Sequence, residues 1–367
     1  MKTINNSFLR GLAAITLLFP SLMNAGNPDR AGSAGAGQLL INPYARSSGW
    51  GGANSSKVRG LESMFLNVAG TAFTKKTEVV FARTNWLAGS DIHINNFGFT
   101  QRVGETGALG LNVMALDAGD INITTEDQPE GGLGTFSPLF VNIGLSYAKG
   151  FSDNIYGGAT VRIINEQISN VAARGIAFDA GIQYHAGKYD QMHFGIALRN
   201  VGPKLTYRGD GLSFQANILS GSQYNGLVSG YSATFEQRSA AFELPSLLNI
   251  GGAYDFYIGK RDTMNATWDH RITVAGNYTS NSFTYDQYTV GAEYGFKQYL
   301  MLRAGFTYEN GILNEDTRKT AFTGPSAGVT FELPFGTDKK STFGIDYSYR
   351  FTNPFGGVHS IGARINL

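Results

Sequence analysis

The chain has 367 residues, with 29 Lys and Arg against 28 Asp and Glu, and no cysteine. A formal charge of +1 leaves no basic surface for nucleic acid. The lack of cysteine removes disulfides, thiolate catalysis, Cys-ligated zinc and a lipoprotein anchor together. Charged residues make up 16% of the chain, well under the roughly 25% of soluble domains, while 48 glycines, 25 Phe and 18 Tyr fill the difference.

Residues 1–25 read as an export signal. Lys2 and Arg10 form a positive start, Leu12 to Phe19 an apolar run, and Met23-Asn24-Ala25 a cleavage site. The run is too short for a spanning helix, which needs about 20 apolar residues, and no later stretch approaches that length. The segment 26–76 has no clean periodicity. It includes GSAGAGQLLINPYARSSGWGGANSS, yet Leu39, Leu40, Tyr44, Trp50, Met64, Phe65 and Leu66 are too apolar for a solvated tail. We expect a hatch or plug folded inside a barrel lumen rather than a flexible periplasmic tail.

From residue 77 to 367 the chain alternates with period two between turn signals. Val141, Ile143, Leu145 and Tyr147 alternate with Asn142, Gly144 and Ser146; Phe343, Ile345, Tyr347, Tyr349 and Phe351 alternate with Thr342, Gly344, Asp346, Ser348 and Arg350. Such segments are strands with one apolar and one polar face. Strands are expected near 77–88, 91–103, 107–119, 139–149, 154–168, 174–187, 191–201, 246–258, 266–280, 286–296, 300–309, 325–334, 342–352 and 357–367. Connections after even-numbered strands are all short, whereas those after odd-numbered strands include the long ones, 120–138, 202–245 and 310–324. Short turns at one rim and long loops at the other, with about fourteen strands, predict an all-β transmembrane antiparallel barrel in the outer membrane rather than a sandwich. Tyr147, Tyr184, Tyr254, Phe256, Tyr288 and Tyr308 near strand ends suit an aromatic girdle.

The polar face then lines the lumen. In TVGAEYGFKQYLMLRAGFTYEN (289–310), a three-residue turn at Lys297-Gln298-Tyr299 sets Glu293 opposite Arg303, Tyr294 opposite Leu302 and Val290 opposite Phe306. A facing pair of opposite charge stabilises a hairpin by about 0.2–1 kcal/mol; the arginine turned to mid-bilayer costs about 2–4 kcal/mol. The same alternation points Arg162, Asp179, His185, Arg199, Arg271, Asp346, Arg350 and Arg364 into the lumen. The long loop 202–245 carries Tyr207, Phe214, Tyr224, Leu227, Tyr231, Phe235 and Phe242 on a Gly/Ser background, which is candidate partner-contact material. Glu126-Asp127-Gln128-Pro129-Glu130 reads as a solvated tip. Gly324-Pro325-Ser326-Ala327-Gly328 matches G-x-S-x-G but lies in a strand pattern without the strand–turn–helix context. The five histidines are scattered, so no catalytic, cofactor or metal site is expected.

The stretches GSAGAGQLLINPYARSSGWGGA, NVAGTAFTKKTEVVFARTNWL, GDINITTEDQPEGGLGTFSP, ALRNVGPKLTYRGDG, LPSLLNIGGAYDF, VGAEYGFKQYLMLRAGFTYE and FGIDYSYRF resemble the PorV-like family. Its members are FadL-like outer-membrane components of the type IX secretion system of Bacteroidetes. The family's Asn-Pro-Ala-Gly element is Asn67-Val68-Ala69-Gly70 here, without the proline. The resemblance implies a fourteen-stranded barrel with an N-terminal hatch and a carrier role without chemistry. The implied partners are a large translocon barrel, cargo with a C-terminal signal domain, a sortase-like attachment complex and outer-membrane lipid or lipopolysaccharide. The other reading is a FadL-type transporter of hydrophobic small molecules, which calls for an apolar lumen pocket and a lateral opening.

Overall fold

A computed structural model describes residues 26–224, 227–262, 267–336 and 341–367. Its strands are, in chain order, β1 (Thr77–Trp86), β2 (Ile92–Val103), β3 (Gly107–Asp117), β4 (Ile121–Asn122), β5 (Thr135–Phe136), β6 (Leu139–Gly150) and β7 (Ile155–Ile168). They continue as β8 (Val171–Ala186), β9 (Met192–Val201), β10 (Tyr207–Arg208), β11 (Ser213–Tyr224), β12 (Leu227–Glu236) and β13 (Leu247–Asp262). The last six are β14 (Thr267–Asn281), β15 (Gln287–Phe296), β16 (Leu300–Glu309), β17 (Phe322–Phe335), β18 (Ser341–Thr352) and β19 (Val358–Asn366).

Fourteen of these close into one antiparallel barrel. Each strand pairs with its sequence neighbours in the ring, and β19 pairs with β1 to seal it, for example Phe81 with Ala363. Closure leaves no unpaired edge, as a strand crossing lipid requires. The alternation is visible along β18, where Phe343, Ile345 and Tyr347 face out while Gly344, Asp346 and Ser348 are buried inside. Large apolar side chains stand exposed on strand after strand, among them Phe81, Phe97, Leu145, Ile163, Ile182, Ile196, Leu302 and Ile361. A soluble protein rarely shows an apolar patch above a few hundred Å², so this continuous band marks the lipid-facing wall of an outer-membrane-type barrel.

Two strand starts and the long loop differ from the sequence expectation. β8 starts at Val171 rather than near 174, because Ser169, with φ of 50°, and Asn170 make a tight turn that the weakly alternating Val-Ala-Ala run did not signal. β17 begins at Phe322, upstream of Pro325; Gly324, with φ of 111°, accommodates a bulge between Phe322 and Ser326. The loop 202–245 is not structureless. Its segment 204–208 lies beside β8, and β11 and β12 form a hairpin of their own.

The N-terminal segment runs along the inside of the barrel. Arg30 Nη2 lies 2.7 Å from Glu243 Oε2 and stacks over Phe283, both in connections at the long-loop rim. Leu39 packs against Ile164, Ala173, Ala177, Leu205 and Leu244. Short helical turns at Ala45–Ser48 and Ser63–Leu66 follow, and Asn67 caps a 3-10 turn over Val68–Phe73. Thr74 Oγ1 donates to Thr100 Oγ1 at 2.9 Å, beside the short turn 104–106 at the opposite rim. Lumen glycines permit the close approach. A side chain on Gly305 would strike the Trp50 carbonyl, and one on Gly328 would reach the Gly49 Cα at 3.0 Å.

Candidate functional site: a charged lumen and an aromatic outer rim

Glu293 and Arg303 are register partners on β15 and β16, with Tyr294 opposite Leu302 and Val290 opposite Phe306. Arg303 Nε donates to Glu293 Oε2 at 2.5 Å, and both side chains are buried. The pair belongs to a longer chain of charges around the inner wall. Arg271 donates to the second Glu293 oxygen, and Arg303 Nη1 donates to Thr330 Oγ1 at 2.6 Å. Thr330 donates in turn to Asp346, which lies 3.6 Å from Arg364. Arg364 also contacts Glu332 at 2.8 Å and Glu78 at 3.9 Å. Each carboxylate is met by at least one guanidinium or hydroxyl, which is what keeps buried charge affordable in a low-dielectric interior.

A second cluster joins the opposite wall to the N-terminal segment. Arg162 Nη2 donates to Asp179 at 2.6 Å and to the Met64 carbonyl at 3.2 Å. Arg199 stacks on Phe65 at 4.1 Å and donates to the Leu39 carbonyl. Lys57 donates to Asp255 and, at 2.9 Å, to Thr273 Oγ1, while His193 Nε2 lies 3.0 Å from the other Asp255 oxygen. Burial pulls the Lys57 ammonium down to about 7, with Arg271 adding to the drop and Asp255 opposing it. Tyr44 accepts from Asn112 Nδ2 at 2.7 Å, and its burial raises its hydroxyl pKa. His185 is buried and faces Phe73. Arg350 faces inward and stacks over Phe322 at 3.8 Å.

Several charged residues of the lumen were not singled out from the sequence: Lys57, Glu62, whose Oε1 accepts from Arg46 Nε at 2.5 Å, Glu78, Glu166, Asp255 and Glu332. Asp255 carried a signal, since it stands between Tyr254 and Phe256 on an alternating strand. Lys57 and Glu62 carried none, because the segment that holds them has no periodicity. Ser326 of the G-x-S-x-G match lies buried on β17 and donates to the Gly49 carbonyl at 3.3 Å, so the motif makes a packing contact.

The aromatic loop candidates divide into two groups. Tyr207 and Phe242 are not on the outer surface. They are half-buried, ring to ring at 5.5 Å, against the Leu39–Leu205–Leu244 cluster, and Tyr207 Oη donates to Glu166 at 2.5 Å. Pairing of Tyr207 with Ala173 on β8 turns its ring toward that cluster, and Phe242 is bridged to Leu205 beside it. Phe214, Tyr231 and Phe235 do stand exposed on the β11–β12 hairpin, at 52%, 62% and 40%, with Phe214 and Phe235 stacked at 5.9 Å. The side chains of Tyr224 and Leu227 lie outside the described residues; their backbones pair near the hairpin tip. The acidic stretch 126–130 is exposed throughout.

No protein-family profile matches the chain, and no curated protein matches its sequence. Solved structures do resemble it. The toluene transporter TodX of Pseudomonas putida aligns with a TM-score of 0.52 at 13% identity, over 89% of this chain and 97% of its own. The CymD monoaromatic hydrocarbon channel aligns with a TM-score of 0.51 at 14% identity, over the same shares. At this identity the likeness concerns architecture, and the chain has the FadL-like fourteen-stranded barrel fold that these channels share.

Proposed function

We propose that this barrel works at its outer rim, as an outer-membrane component of type IX protein secretion. In this reading it binds a large translocon barrel, receives cargo bearing a C-terminal signal domain, and passes it to a surface attachment complex. No catalytic step or cofactor enters the reading. The sequence resemblance to the PorV-like family supports it, and one structural observation carries it. The N-terminal segment runs through the interior from one rim to the other, held by the buried Lys57–Asp255 pair, by Arg162 on the Met64 carbonyl and by the partly exposed Arg30–Glu243 pair, while exposed aromatics stand on the β11–β12 hairpin of the long loop.

The test is affinity purification of a tagged copy from its own outer membrane in mild detergent, beside a copy lacking 214–235. The intact protein is expected to recover a very large barrel, or exported proteins sharing a C-terminal domain. The deletion is expected to lose them while remaining a heat-modifiable barrel. Unchanged recovery by the deletion overturns the role of the hairpin.

A second reading, a channel for hydrophobic small molecules, is favoured by the fold comparison, since both neighbours are described as hydrocarbon transporters or channels. It needs the N-terminal segment to yield a path that its charged contacts close. Purification of the barrel alone with bound hydrocarbon, together with faster toluene uptake by cells expressing it, would favour this reading over the first.

A further inference from the structure

The outward face of the barrel changes character abruptly at the long-loop end of β7 and β8. Ile163 and Ile176 are register partners on the lipid-facing side, both largely exposed. The next outward pair toward the rim, about 7 Å higher, is Asn165 with Arg174, and the Arg174 Nε donates to Asn165 Oδ1 at 3.0 Å. The pair above that is Gln167 with Ala172, and Arg208 of β10 extends the same row. Because Leu205 and Tyr207 turn inward, Lys204, Thr206 and Arg208 all turn outward beside β8. Between the β7–β8 hairpin and segment 204–210 lies an open groove of about 750 Å³.

Three cations, Arg174, Lys204 and Arg208, line this groove against one carboxylate, Asp210. Lys204 lies 3.1 Å from Glu243, whose charge is also met by Arg30, which leaves Arg174 and Arg208 as the cations facing the groove. We infer that the groove binds the phosphorylated headgroup of an outer-leaflet glycolipid of the lipid A type, with its acyl chains laid on Ile163, Ile176 and Phe178 below. Two features together select this occupant. Two guanidiniums, the side chains that best match phosphate oxygens, stand in the outward row that continues from Ile163 and Ile176, so the groove they line adjoins the lipid-facing belt, which a free soluble anion does not use. The site is independent of which function the barrel serves.

The test is native mass spectrometry of the purified full chain in detergent micelles with added bisphosphorylated lipid A. The wild type is expected to retain one lipid, and Arg174→Gln/Arg208→Gln to retain it at least fivefold less. Arg83→Gln supplies the control, because Arg83 also faces outward near the long-loop rim, paired with Asn95 and Ile361, away from the groove. It is expected to bind like wild type. Lipid A stripped of its phosphates is expected to bind the wild-type protein at least fivefold less, a comparison that does not depend on any variant folding. Equal retention by the double variant, or equal binding of the dephosphorylated lipid, overturns the proposal. Displacement by millimolar inorganic phosphate while acyl chain length has no effect would reassign the groove to a soluble anion.

Discussion

Replacing Glu293 by glutamine isolates the electrostatic part of the lumen's design. The glutamine keeps the shape of the side chain and one acceptor, but removes the charge shared by Arg271 and Arg303. The two arginines respond differently. The Arg271 side chain is 31% exposed and can recover hydration, whereas that of Arg303 is 2% exposed and cannot. Breaking a buried ion pair from one side costs about 3–5 kcal/mol, because a charge is left without compensation. Arg303 keeps its bond to Thr330 at 2.6 Å, which puts the expected loss at the lower end, about 3 kcal/mol. Arg303→Met leaves Glu293 with Arg271 and should cost less, about 2 kcal/mol. The double variant should be less destabilised than the sum by at least about 1 kcal/mol, since the orphaned charge is gone. Equilibrium urea unfolding of the barrel in lipid vesicles, followed by tryptophan fluorescence, measures all three. A Glu293→Gln variant within about 0.5 kcal/mol of wild type would show that the lumen is wet enough to screen the pair, and the argument for charge-locked packing would fail.

Other consequences can be read separately. Asp255→Asn leaves the Lys57 ammonium buried without its carboxylate, so the N-terminal segment should loosen and single-channel conductance in planar bilayers should rise above the wild-type baseline; an unchanged baseline refutes this role for Lys57. Gly305→Val drives a branched side chain into the Trp50 backbone, and the expected result is trypsin cleavage near Arg46 or Lys57 under conditions where the wild type resists; equal resistance would mean that the segment does not pack as described. Because the chain has no cysteine, a single introduced one is a unique thiol. Asn27→Cys is expected to react with a membrane-impermeant maleimide on intact cells, and Glu105→Cys in the short turn only after the outer membrane is permeabilised; the reverse pattern would invert the assigned orientation.

How much of this was legible in the sequence follows from the range of the interactions involved. Period-two alternation is a local property, and the pleat converts it directly into two faces, so the number of strands, their antiparallel order and the lipid-facing residues could be read one segment at a time. Register was legible where a short turn fixed it, as at 297–299, because a slip by one residue turns Glu293 and Arg303 into lipid. Where the alternation faded, at Val171–Ala173 and around Gly324-Pro325, the boundary was lost with it. The partners of the inward charges were not legible. Lys57 meets Asp255, Arg162 meets the Met64 carbonyl and Gln38 meets Glu166 only because the closed barrel brings residues 98–198 positions apart into one cavity. Tyr207 and Phe242 show the same limit, since their composition suggested contact surface, while pairing of Tyr207 with β8 and of Phe242 with Leu205 packs both against the Leu39 cluster. The sequence by itself determined which face of each strand tolerates lipid, since that is settled residue by residue against solvent. Only the tertiary structure decided which charge neutralises which, since a buried ion pair exists only when closure and the path of the N-terminal segment place its two halves within hydrogen-bonding reach.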